Sequence, residues 1–211
     1  LAKDIPVFRQ NFLARDKSFS SGSRAEAEAR LQALESRLPQ VSPAAFELEL
    51  AKIVALADNG HTSAAAGPRS RRSNRVKLRF VPFGEDFYVL RATAEHSDLL
   101  GARLVGIDDV PLDTARAAAR SLVGGTAAWR DRFANYLFES PEQLHALGLI
   151  RRPDTAVYRF ELPGGRTISR ALLPEPANPD RPRANANRWL YPDLLPEEGD
   201  GWRTLMPQER A

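Results

Sequence analysis

The chain has 211 residues, of which 43% are hydrophobic and 27% charged, a balance that excludes a disordered or fibrous polymer and leaves room for one large domain or two small ones. The net charge is +3 and only four of the 30 basic residues are lysines, but the basic cluster Arg69, Arg71, Arg72 and Arg75 alternates with Ser70, Ser73 and Asn74, without aromatic rings for bases to stack on. It therefore predicts a solvated loop and no nucleic-acid partner, while the lack of cysteine excludes disulfides and thiolate chemistry, and no apolar run reaches the roughly 18–20 residues of a membrane span.

The first 60 residues read as helices. Pro6 suits a first helical turn, with Ile5, Phe8 and Phe12 on one face. Ser23 and Glu26 have capping-box spacing ahead of the stripe Ala27, Leu31, Leu34 and Leu38, which Pro39 stops. Ser42 and Pro43 then restart the pattern as N-cap and first residue, and Phe46, Leu50, Ile53 and Ala57 share a face up to Asn59-Gly60.

From Arg75 the period drops to two. Val76, Leu78 and Phe80 alternate with Lys77 and Arg79, a turn follows at Gly84-Glu85-Asp86, and Phe87 to Leu90 returns, which predicts a hairpin. Arg103 to Ile107 reads as a strand turned by Asp108-Asp109, and Asp113 to Leu122 as a helix ending before Gly124-Gly125. Trp129, Phe133 and Tyr136 line a further helix and read as core, as helical-period aromatics generally are. Ser140, Pro141 and Gln143 start another helix that Gly148 ends. Tyr158, Phe160 and Leu162 alternate, Pro163-Gly164-Gly165 turns the chain, and Arg166 to Leu173 pairs back.

After this hairpin the composition breaks. Prolines 174, 176, 179, 182, 192, 196 and 207 interrupt any period, yet Trp189, Leu190, Tyr191, Leu194, Leu195, Trp202 and Leu205 remain and are expected to pack against something outside the segment. The expected fold class is α+β: an N-terminal helical layer (1–74), a small β module with inserted helices (75–173) and an irregular Pro-rich tail (174–211).

Three chemistries lack their residue patterns: no phosphate loop, no histidine pair at metal-ligand spacing among His61, His96 and His145, and no G-x-S-x-G turn. No cofactor or metal is therefore expected. The informative segment is Asp58-Asn59-Gly60-His61-Thr62. A histidine just past a helix C-terminus sits near the last carbonyls, which favour the imidazolium that a general base becomes. Asp58 or Thr62 is placed to orient the ring. The plainer alternative makes Gly60 a left-handed helix stop and His61 an ordinary loop residue.

Three stretches in order, Asp58 to Thr62, the PDZ-like run Gly101 to Leu112, and Ser140 to Gly148, resemble the C-terminal processing (tail-specific) proteases, particularly the bacterial branch related to the tricorn core protease. The resemblance spans about residues 5–205. The second match is one of pattern, since Gly101-Ala102 and Asp108-Asp109 stand where PDZ sequences usually carry Gly-Asp and Asn-Gly.

The resemblance implies that His61 is the general base of a serine peptidase acting through an acyl-enzyme. The nucleophilic serine then lies in a catalytic domain following this region, so that these residues alone are expected to be inactive. It also implies that a peptide or protein substrate adds as a strand to the β module, with its carboxylate taken near Phe83 and Gly84. The tail is expected to dock on the chain's own downstream catalytic domain. A periplasmic or secreted location is what the resemblance favours, although the given residues show no signal-type apolar segment. The rival reading is a peptide- or ligand-binding protein that keeps the scaffold without catalysis.

Overall fold

The computed structural model describes residues 1–64, 66–179 and 201–205. Helices come first and an antiparallel sheet follows, so the fold is α+β. The helical layer comprises α1 (Asp4–Phe8), continued by a π-helical turn (Arg9–Leu13), then α2 (Ser21–Ser36) and α3 (Pro43–Ala55). Ser20, not Ser23, caps α2. Its extended backbone aims the hydroxyl at the Ser23 N–H, 3.1 Å away, whereas Ser23 already lies inside the first turn. Ser42 caps α3 as its spacing predicts, accepting from the Ala45 N–H at 3.2 Å with Pro43 behind it.

α3 is buried on two sides. Phe46, Ile53 and Ala57 join Ile5, Leu13, Phe19, Leu31 and Leu34 in a helical core. Leu48 and Ala51 belong instead to the core of the sheet. One helix therefore ties the two hydrophobic clusters together.

The sheet contains β1 (Leu78–Phe83), β2 (Asp86–Thr93), β3 (Arg103–Ile107), β4 (Val110–Pro111), β5 (Ala156–Glu161), β6 (Thr167–Leu172) and β7 (Trp202–Thr204). The order is β1-β2-β3-β5-β6, with β4 on β3 and β7 on β2. Three helices, α5 (Leu112–Arg120), α6 (Ala127–Phe138) and α7 (Pro141–Ala146), are inserted between β4 and β5 and pack with the strands into one core. At its centre the rings of Phe80, Tyr158 and Phe160 cluster with centroids 6.2–6.4 Å apart, and the Tyr158 hydroxyl donates to the Phe138 carbonyl at 2.7 Å. No helix among the described residues is long and apolar enough to cross a membrane.

The basic cluster is not a solvated loop. Residues Ala66–Arg71 form α4, and Arg69, Ser70, Ser73 and Arg75 are buried. Arg72 pairs with Glu47 at 2.6 Å, and Arg75 with the fully buried Glu139. Sequence spacing could not reveal acids supplied by α3 and by the end of α6. Arg79 is likewise buried: its Nη1 donates to the Val76 and Leu78 carbonyls at 2.8 and 2.7 Å, and the Trp202 ring lies against its guanidinium.

The described part of the tail packs outside its own segment. Trp202 packs on the chain's own sheet, its ring 4.5 Å below the Arg79 guanidinium and 5.8 Å from that of Arg91. Residues Trp189, Leu190, Tyr191, Leu194 and Leu195 lie outside the described residues.

Candidate functional site

The loop after α3 is anchored at Asp58, Asn59, Gly60 and Thr62. Asp58, at φ 48, turns the chain out of the helix in the left-handed region, a role the sequence suggested for Gly60. Its carboxylate accepts from the Gly125 N–H at 3.0 Å and from Arg130 Nη2 at 2.6 Å. The Gly125 N–H, against opposition from burial, and the Arg130 guanidinium hold the Asp58 carboxyl below its usual range. Asn59 closes the turn locally: its Oδ1 accepts from the His61 N–H at 3.0 Å, and its carbonyl accepts from the Thr62 N–H at 3.0 Å.

The other side of the loop is fastened to the helical layer. Asn59 Nδ2 donates to Ser18 Oγ at 3.1 Å, and the Thr62 hydroxyl donates to Asp16 Oδ2 at 3.2 Å while lying 3.1 Å from Ser18 Oγ. Asp16 in turn accepts from the Ser18 N–H at 2.7 Å. The Ser18 amide, opposed by burial and helped by the Ser18 and Thr62 hydroxyls and by Arg24, lowers the Asp16 carboxyl below its ordinary range. Thus Asp58 and Thr62 spend their hydrogen bonds on the scaffold, and neither bonds the His61 ring.

Gly60 is required for a different reason from a left-handed turn. A Cβ there would lie 2.8 Å from Trp129 Nε1, the nitrogen that donates to the Gly60 carbonyl at 2.9 Å. The Trp129 indole also faces the His61 imidazole, with ring centroids 6.0 Å apart and planes 26° from parallel. Trp129, Phe133 and Tyr136, predicted as core, are only half-buried and run as a ladder of ring contacts away from His61. The residues that organise the loop, Asp16, Ser18, Gly125, Trp129 and Arg130, carry no local sequence signal that links them to it. The aromatic period on α6 was the one visible clue.

His61 itself is exposed, and among the described residues its ring nitrogens have no hydrogen-bond partner. The backbone beneath is fixed on both sides while the imidazole edge stays open. Such an arrangement can take a proton from a group brought to it, but no hydroxyl is bonded to it among the described residues. The other histidines sit in structural surroundings: His145 Nδ1 is 3.0 Å from the Ile150 carbonyl, and His96 is buried, which lowers its pKa.

Phe83 and Gly84 lie at the β1–β2 turn. Phe83 pairs with Asp86 across the tight β1–β2 turn, Gly84 has φ 60, and Phe83 is 78% exposed. β2 also has no vacant edge for an added strand. β1 covers one side, while β3 and β7 cover the other, with the Leu205 N–H donating to the Leu90 carbonyl at 2.9 Å between them. The terminal strands of the described sheet are β1, which Phe83 ends, and β6.

No known family profile matches the sequence, and no curated protein matches it. Among solved structures, the chain is similar to mature CPAF, a chlamydial serine protease, complexed with lactacystin: 16% identity, TM-score 0.51, covering 82% of this chain and 34% of that one. A crystal structure of a CPAF point mutant gives 15% identity, TM-score 0.50, and coverage of 83% and 34%. The chain spans about a third of the length of these solved chains. The likeness is one of fold. It gives no support to the tricorn-related branch in particular.

Proposed function

We propose that this chain forms part of a serine peptidase and supplies its general base, His61, to a nucleophilic serine carried by polypeptide outside these residues. The observation that carries the reading is the His61 loop: its backbone is held from two sides, yet its imidazole is exposed and uncommitted. A general base has to be fixed in position and free at one nitrogen, and this loop meets both demands. The fold likeness to one third of a larger serine protease supports it.

In the proposed reaction the serine hydroxyl attacks the peptide carbonyl as His61 takes its proton. The imidazolium then passes a proton to the leaving amine, and water, activated by the same ring, releases the acyl group. Asp58 and Thr62 orient His61 through the backbone, by fixing the turn from which it projects, and Trp129 limits the ring from one side. The 1–74 helical region, the 75–173 β module and the 174–211 tail are proposed as successive parts of one scaffold, the cores of the first two sharing α3. The test is labelling of the full-length protein with a serine-reactive fluorophosphonate. His61→Ala is expected to slow labelling by about a hundredfold or more, within the range of general-base contributions. Equal labelling of wild type and variant would remove His61 from the mechanism.

A second reading, a peptide- or ligand-binding protein without catalysis, is favoured by the lack of any hydroxyl bonded to His61 among the described residues. Its PDZ-like peptide site would use a terminal strand of the sheet, β1 or β6. Calorimetry with peptides ending in apolar residues separates the two readings: binding without fluorophosphonate labelling supports the second.

A further inference from the structure

The cavity between α3 and α4 has a volume of about 180 Å³ and is lined by Glu47, Leu50, Ala64, Pro68, Arg69 and Arg72. That is room for about six waters at about 30 Å³ each. Arg69 is 4% exposed, although guanidinium groups are almost never buried without a partner. Its Nη1 donates to the Ala64 carbonyl at 3.2 Å, and its Nε has no hydrogen-bond partner. The carboxylate in the lining, that of Glu47, is already taken by Arg72 Nε at 2.6 Å. Among the described residues the lining therefore holds two guanidinium groups against one carboxylate, and the excess charge is the buried one.

We infer that this cavity binds a carboxylate carried on a short apolar stem, with Arg69 as its anchor. A monoanion matches the single uncompensated cation, whereas a dianion such as phosphate would meet repulsion from Glu47. Leu50, Ala64 and Pro68 provide an apolar wall that a hydrated inorganic anion would not use, and the flat guanidinium fork suits a planar carboxylate. Burial, partly offset by Glu47 and reinforced by Arg72, pushes the Arg69 pKa down to about 10, which is the electrostatic cost that a bound anion would relieve. The site stands independently of any role for His61, although Ala64 joins the two along the chain.

The carboxylate can come from a free small acid or from an acidic side chain of a protein segment, and two probes distinguish these sources. The full chain is titrated at constant ionic strength with sodium isobutyrate and with N-acetylglutamic acid α-amide, following amide chemical shifts of residues around α4 and the thermal midpoint. Saturable binding and a raised midpoint are expected in wild type. Binding is expected to weaken about tenfold or more in Arg69→Gln, the loss of one charge-assisted contact. Arg152→Gln, at an exposed residue paired with Asp154, should bind as wild type does. Saturation by isobutyrate identifies a free acid as sufficient, while saturation by the glutamate mimic alone identifies a side chain. Should Arg69→Gln fail to fold, Leu50→Phe, which fills the apolar wall and leaves Arg69 in place, is expected to abolish binding. No saturation with either probe, or undiminished binding in the folded variants, would overturn the inference.

Discussion

At the scale of single residues, the loop after α3 shows how two neighbours exchange the roles that their types suggest. Asp58 takes the left-handed conformation that glycine usually fills, because its carboxylate is rewarded by the Gly125 N–H and Arg130. Gly60 keeps an ordinary φ and is small so that the indole of Trp129 can reach its carbonyl. Gly60→Ala must therefore push back a rigid ring that also packs against Phe133. We expect destabilisation of about 1–3 kcal/mol, the usual range for overpacking, together with a shifted Trp129 indole N–H resonance. A denaturant midpoint unchanged from wild type, with the indole signal in place, would refute the close approach.

At the scale of elements, helix and strand ends are held by contacts between residues far apart in the sequence. Glu139, at the end of α6, accepts from Arg75 and from the Phe80 N–H at 3.1 Å, while its carbonyl accepts from the Val76 N–H at 2.8 Å. It thereby docks the helix on the start of β1. β7 is held on β2 largely by Trp202, whose ring covers the buried Arg79 and Arg91. Trp202→Ala removes that cover and the cation–π contacts, at a cost of about 2 kcal/mol for a half-buried aromatic. Hydrogen exchange reads the effect locally. The Leu205 and Ala94 amides, bonded to the Leu90 and Gly201 carbonyls, should exchange faster, whereas the β5–β6 amides should not.

At the scale of the whole molecule, stability draws on buried carboxylates that several arginines share. Burial opposes ionisation of Asp131, but Arg120 and Arg116 outweigh it and bring its pKa to about 2. The native carboxyl is thus a stronger acid than the unfolded one, whose ordinary pKa is about 3.9. Above about pH 5 both states are ionised and the native pairs contribute in full. As pH falls from about 5 through about 2 the unfolded state takes up its proton first, so this contribution, of order 2 kcal/mol, is lost. Urea unfolding at several pH values across that window should show the decline in wild type and a flatter profile in Asp131→Asn. Identical profiles would show that the Arg116–Asp131–Arg120 cluster does not control acid stability.

How much of this was legible follows the range of each interaction. The Ser42 and Ser140 caps, the Arg103–Ile107 strand, the Gly164-Gly165 turn and the location of His61 after a helix all arise from residues within a few positions of one another, so composition and period sufficed. The burial of Arg69, Arg75 and Arg79, the return of Trp202 to β2, and the grip of α6 on the His61 loop did not appear in any local pattern. Their partners lie far along the chain: 69 residues separate Trp129 from Gly60, 72 separate Arg130 from Asp58, and 64 separate Arg75 from Glu139. The sequence by itself determined which segments become helix or strand and that a histidine follows α3, because those outcomes depend on short-range sterics and hydrogen bonding. Which charges are buried, and how the His61 loop is held, only the tertiary structure decided, because a charge can be buried only where folding brings a compensating group to it.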